Sequence, residues 1–303
     1  MTMSESAQEA HAEGQGSVAG LPVRYGQIDF DYALRLSTTP EEEDGPVWMV
    51  NLMRYRHTAE YSDGRESSLS GREADDAYAP LESLAAVGAE VVFFGDVETQ
   101  LLGDLPPWDR VAVVKYPTRR SFIDMQERKE FKEQHHHKDA GMEATIILGC
   151  QPFAHPEGPE IIPDLDQVPY PSTADDPAVM VVHVIAFDRG DSDLEQSVEE
   201  SVEESVEHMT AYQNHAVTVG VANGVRIAGW FNVEGTIVGD GRQWDQVRFN
   251  AFPSREAFMT VVMDPERLAV QAEHRETAMS DTYTMIVRPL INNIANSCTE
   301  ELR

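Results

Sequence analysis

Apolar positions along this chain fall into short continuous runs separated by longer stretches of helical spacing. Val47 to Met53 is apolar except for Asn51, Val91 to Phe94 is wholly apolar, Thr145 to Leu148 nearly so, and Val179 to Ile185 is broken only by His183. Runs of this length bounded by polar segments read as strands buried on both faces. Between them, Ala77 to Val87 and Ser121 to Gly141 have the spacing of helices, and Gly88 supplies the usual stop after the first. The order strand, helix, strand, strand, helix, strand is the ferredoxin-like plan. It restarts at Val179, after a stretch dense in proline.

The restart is a duplication. Trp108-Asp109-Arg110-Val111-Ala112-Val113-Val114-Lys115-Tyr116-Pro117 recurs as Trp244-Asp245-Gln246-Val247-Arg248-Phe249-Asn250-Ala251-Phe252-Pro253, an offset of 244 − 108 = 136. Phe122 falls on Phe258 and Thr118-Arg119-Arg120 on Ser254-Arg255-Glu256 at the same offset. One extra residue in the second copy then brings His137-Lys138-Asp139 onto His274-Arg275-Glu276. Repetition near half the chain length predicts two similar units. The boundaries that follow are a disordered leader over 1–20, an N-terminal arm over 21–45, a first unit over 46–152, a Pro-rich linker over 153–177, a second unit over 178–292 and a tail over 293–303. Within the second unit, Ser-Val-Glu-Glu repeats from Ser197 predict a helix with Val198, Val202 and Val206 along one drifting face.

Composition narrows the partners. The 303 residues carry 53 acidic against 23 basic side chains, a formal charge of −30. A field of that sign repels nucleic acid and anionic membranes. No apolar run reaches the ~18 residues of a membrane span, so a soluble, cytoplasmic protein is expected. Cys150 and Cys298 form no disulfide framework. Gly-rich phosphate loops, nucleophile elbows and HExxH motifs do not occur in the sequence.

Asn51-Leu52 in the first strand, the Trp-Asp strand ending in Tyr116-Pro117 or Phe252-Pro253, and the basic pairs His137-Lys138 and His274-Arg275 together resemble the dimeric α/β-barrel superfamily, nearest one of its small bacterial branches of unknown function. The resemblance covers most of the chain. It implies an α+β fold in which two tandem ferredoxin-like units pair their antiparallel sheets into one pseudo-dimeric barrel within a single chain, as a monomer or homodimer. It also implies small-molecule chemistry in the barrel pocket, since the superfamily includes isomerases, cyclases, cofactor-free monooxygenases and haem proteins.

Polar residues inside apolar strands mark the candidate chemistry, because each costs on the order of 1–3 kcal/mol unless partnered or facing a cavity. Asn51 aligns with His183 (183 − 51 = 132). Strand parity then places His183, Trp230, Glu234, Arg248 and Asn250 on one face, where the first copy has Ala112 and Val114 in place of Arg248 and Asn250. The expected roles are His183, Glu234 and His137 as acid/base groups, with Arg248, Asn250, Trp230 and Asn51 contacting substrate. His135 and Asp139, four apart on a helix, could hold a divalent ion such as zinc or iron. The alternatives are a cofactor-free site or a haem. Lyase or isomerase chemistry is the first expectation, and a non-catalytic binding or assembly protein the second.

Overall fold

The computed structural model describes residues 17–18, 21–154, 164–190 and 195–299. The chain is α+β, with antiparallel strand pairing. Its strands of seven or more residues are β1 (Val47–Tyr55), β2 (Glu90–Leu102), β3 (Arg110–Tyr116), β4 (Met142–Pro152), β5 (Val179–Phe187), β6 (Arg226–Gly239), β7 (Gln246–Phe252) and β8 (Met279–Asn292). Helices α1 (Phe30–Thr38), α2 (Gly71–Tyr78), α3 (Leu81–Ala86), α4 (Arg119–Glu127) and α5 (Lys129–Gly141) precede β5. After it come α6 (Glu195–Ala222), α7 (Arg255–Val262), α8 (Pro265–Val270), a π-helical turn at Gln271–Arg275, α9 (Glu276–Ala278) and α10 (Ile294–Thr299). Among the described residues no helix is long and apolar enough to cross a membrane.

Two compact units emerge. The first holds residues 1–91, 108–149 and 235–242; the second holds 92–107, 150–234 and 243–303. In the first, β1 lies between β3 and β4. Val47, Trp48, Val50 and Leu52 are wholly buried, as a nearly unbroken apolar strand requires. Tyr32 of α1 packs so closely on Gly149 and Gly235 that a Cβ at either would collide with its ring. In the second unit, five strands pair in the order β6–β7–β5–β8–β2.

The duplicated Trp-Asp motif has the same structural task in both copies. Asp109 accepts from the backbone N–H of Tyr55 (2.8 Å) and from Arg54, while Asp245 accepts from Phe187 N–H (2.7 Å) and from Arg189. Each aspartate thus clamps the end of its copy's first strand. The helix starts repeat as well. Thr118 and Ser254 cap α4 and α7, and Asp44 and Asp176 accept from the next two backbone N–H groups of their helices. Satisfying these orphan donors fixes where each helix begins.

Several expected elements divide. The 77–87 helix becomes α2 and α3, because Pro80 cannot continue the helix before it. The 121–141 helix breaks at Arg128, whose backbone is extended (φ −64°, ψ 142°). On α6 the buried face runs through Ser205, Met209 and Tyr212, whereas Val206 is 41% exposed. A strict four-residue period advances ~400° against the helix's 360°, so a Val stripe rotates out of the interface within two turns. In the 1–20 leader, Ser17–Val18 pairs with Leu21–Pro22, and the remainder lies outside the described residues, as do 155–163 of the Pro-rich segment. In the tail, residues 294–299 form α10.

Candidate functional site in the second unit

Strand register assembles a polar row in the second unit. Arg248 on β7 stands opposite His183 on β5 and Trp230 on β6, and His183 in turn stands opposite Thr284 on β8. Directly opposed residues share a face, so the four side chains project together. Of these, His183, Trp230 and Arg248 meet α6, α7, α8 and the π-helical turn around a cavity of about 110 Å³. Its polar lining is His183, Gln213, Arg248, Asn250, Arg267 and Arg275, with Tyr212 and Trp230; Phe252, Phe258, Val225 and Ile227 belong to its apolar wall.

Each polar group is held differently. Trp230 Nε1 donates to Asn250 Oδ1 (3.0 Å), and the Trp230 ring lies under the Arg248 guanidinium (4.5 Å). Arg248 donates to Gln246 Oε1 through Nε (3.1 Å) and Nη2, and to the amide oxygen of Gln213 through both terminal nitrogens. Arg267 donates to Val262 O and Gln271 Oε1 and faces the Tyr212 ring. Arg275 is 6% exposed and its side chain, among the described residues, makes no hydrogen bond or ion pair. His183 Nδ1 lies 3.2 Å from Thr284 Oγ1, which leaves Nε2 without a partner among the described residues.

The electrostatics are one-sided. Among the described residues no Asp or Glu lines the cavity. Burial holds His183 well below the ordinary histidine value, and Arg275, Arg248 and Arg267 push it further down, so the ring is neutral at pH 7. Burial, with Arg275 nearby, pulls Arg248 down to about 9, and it stays a cation at neutral pH.

The other expected site residues lie apart from this cavity. Glu234, also in the second unit, accepts from Gln151 (3.1 Å). Asn51, in the first unit, donates to Met49 O. His137 meets the Tyr61 hydroxyl at 2.7 Å, with burial lowering its pKa. His135 Nε2 is 3.2 Å from Tyr25 OH, and Asp139 accepts from Arg24 Nε (2.6 Å) and Arg24 N–H. Both of the expected metal-ligand pair are therefore engaged, the carboxylate by a guanidinium, and they do not fit an ion. No cluster of three or more metal-ligating side chains forms among the described residues. A haem does not fit the second-unit cavity either: it is smaller than the ~300–1,000 Å³ of drug-sized sites.

Arg267, Arg275, Tyr212 and Gln213 escape the sequence reading. Arg275 alone carried a signal, through its alignment with Lys138.

The chain matches no family model and no curated protein. Among solved structures, an anthrone oxidase-like protein aligns over 84% of this chain and 96% of its own length, with a TM-score of 0.52 and 11% identity. The chain shares its overall fold with that protein. A Rhodopseudomonas palustris protein of unknown function is 26% identical over 43% of this chain and 98% of its own, at a TM-score of 0.37. A chlorite dismutase from Candidatus Nitrospira defluvii covers 86% of this chain and 96% of its own, at 15% identity and a TM-score of 0.42.

Proposed function

We propose that this protein is a small-molecule enzyme of lyase or isomerase type, with the second-unit cavity as its active site and His183 as the acid/base group. One observation carries the reading: a neutral histidine with a free Nε2 stands beside a buried arginine on paired strands, and both line the same cavity. Arg248 receives an anionic or carbonyl oxygen of the substrate. His183 Nε2 takes a proton from the adjacent carbon while negative charge accumulates on the oxygen facing Arg248. Returning the proton to another carbon completes an isomerisation, and expelling a leaving group completes an elimination. Thr284, against Nδ1, fixes the ring's orientation. Trp230 and Asn250 hold one wall through their mutual hydrogen bond.

In the same reading, residues 46–152 and 178–292 are tandem ferredoxin-like units pairing their sheets into a pseudo-dimeric barrel, and the protein is a cytoplasmic monomer or homodimer. The clamped Trp-Asp strands and matched helix caps of the two copies support this arrangement.

The test is proton exchange. A panel of small oxo acids and unsaturated carboxylates is incubated with enzyme in deuterium oxide, and loss of carbon-bound protons is followed by nuclear magnetic resonance. Exchange catalysed by the native protein should fall by about two orders of magnitude or more in His183→Gln and persist in His137→Gln. Exchange indifferent to His183→Gln, or absent across the panel, would sink the reading.

A further inference from the structure

Arg248, Arg267 and Arg275 are each more than nine-tenths buried and line one cavity, yet none has a carboxylate partner among the described residues. Burying an unpaired charge is costly, and three like charges around one space cost more. The acid that acts on Arg275, Glu276, is exposed and bonded by Gln271. This happens in a chain whose acidic residues outnumber its basic ones 53 to 23. Carboxylates are abundant everywhere except where these guanidiniums would use them.

The first copy supplies an internal control. Lys138 aligns with Arg275 and is also buried, facing the rings of Tyr25 and Tyr78. There an acid of the chain itself lies near: Asp75, whose own pKa burial raises, pushes the Lys138 pKa up against burial, accepts from Tyr55 OH (2.7 Å) and faces Arg110 at 3.6 Å. The second copy keeps one cation, Arg275 for Lys138, has Gln246 in place of Arg110, adds Arg248 and Arg267 where the first has Ala112 and Phe131, and has a cavity there with no acidic residue in its described lining.

The backbone differs at the same place. The copies keep the 136-residue offset to the starts of α5 and α8 (265 − 129 = 136), and the extra residue enters before His274. The π-helical turn Gln271–Arg275 overlaps that interval and ends on Arg275. A single inserted residue in a helix is commonly absorbed as such a turn, frequently at functional sites.

We infer that the second-unit cavity binds a small organic dianion, with its two anionic groups meeting Arg248, Arg267 and Arg275 and its carbon skeleton against Trp230, Phe252 and Phe258. The inference concerns the substrate class of the proposed active site and rests on that cavity being the site. A cavity of about 110 Å³ is of the order of one that holds benzene (~150 Å³), which limits the ligand to roughly six to eight non-hydrogen atoms. Compact dicarboxylates are of this size.

Titration calorimetry on the full chain tests it with fumarate and malonate as probes, against acetate, fumaramide and sulfate. Both dicarboxylates should bind at least about tenfold tighter than acetate, and fumaramide should not compete. Fumarate should also exceed sulfate, which lacks a skeleton for the apolar wall. Arg275→Gln should weaken the dicarboxylates by about tenfold or more, and Arg275→Lys by less. Arg267→Gln provides a second loss should Arg275→Gln fail to fold. Dicarboxylates binding no better than acetate, or folded Arg275→Gln and Arg267→Gln both binding like the native chain, would overturn the inference. Sulfate equal to fumarate would overturn its organic part. Dicarboxylate binding without proton exchange removes the enzymatic reading and leaves the dianion site; His183-dependent exchange of a monoanion with no dianion preference does the reverse.

Discussion

One buried histidine ties this protein's stability to pH. His135 is 3% exposed, and burial together with Lys138 lowers its pKa from 6.5 to about 4. The folded state therefore favours the neutral ring, while the unfolded chain takes up a proton near pH 6.5. Between pH 6.5 and 4 the unfolded state binds more protons, so stability falls as pH falls and rises as pH rises. The gap corresponds to about 3 kcal/mol once both states are protonated. His135→Gln retains a polar group for Tyr25 and cannot titrate. Denaturant melts at pH 7 and pH 4.5 should show a smaller acid loss in the variant than in the native protein; equal losses would mean that His135 is not the group responsible. His183 is a different case, because the cations that depress it belong to the cavity, and a bound anion would counter them.

At the scale of elements, the strands were legible and the helix irregularities were not. Strands buried on both faces must be continuously apolar, so Val47–Met53 and Val179–Ile185 declared themselves, and the polar interruptions Asn51 and His183 stood out. Parity was enough to group His183, Trp230, Arg248 and Asn250, because one register relates them. Parity failed for Glu234, four residues beyond Trp230 on a strand that leaves the second unit at Gly235. Arg267 was invisible, and Arg275 was marked only by its alignment with Lys138, because an arginine on a helix normally solvates its outer face and only tertiary packing shows these two turned inward. The break at Arg128 has no proline or glycine to announce it. The π-helical turn yields an element-scale prediction. Deleting the exposed Ala272 should restore regular helical register and rotate the residues on one side of the deletion by ~100° relative to the other. Fumarate affinity should drop by about tenfold with the far-ultraviolet circular dichroism spectrum preserved. Unchanged affinity would show that the turn does not place Arg275.

For the whole molecule, charge is the dominant quantity. A formal −30 on 303 residues makes the compact state repel itself more than the expanded chain does. The Debye length shortens from ~30 Å at 0.01 M salt to ~8 Å at 0.15 M, so added sodium chloride screens this repulsion over most of the molecule's width. Calorimetric melting temperature should climb with salt over that range, and a flat or falling curve would contradict a repulsion-limited fold. The nearness of buried Asp75 to Lys138 in one copy, and the absence of a buried acid beside Arg275 among the described residues of the other, has a consequence at this scale as well. Were the halves identical chains encoded once, any mutation that emptied one compartment would empty both and remove the buried counter-charge from each. Joined in a single polypeptide, they inherit changes separately. One half can keep its internal acid while the other changes.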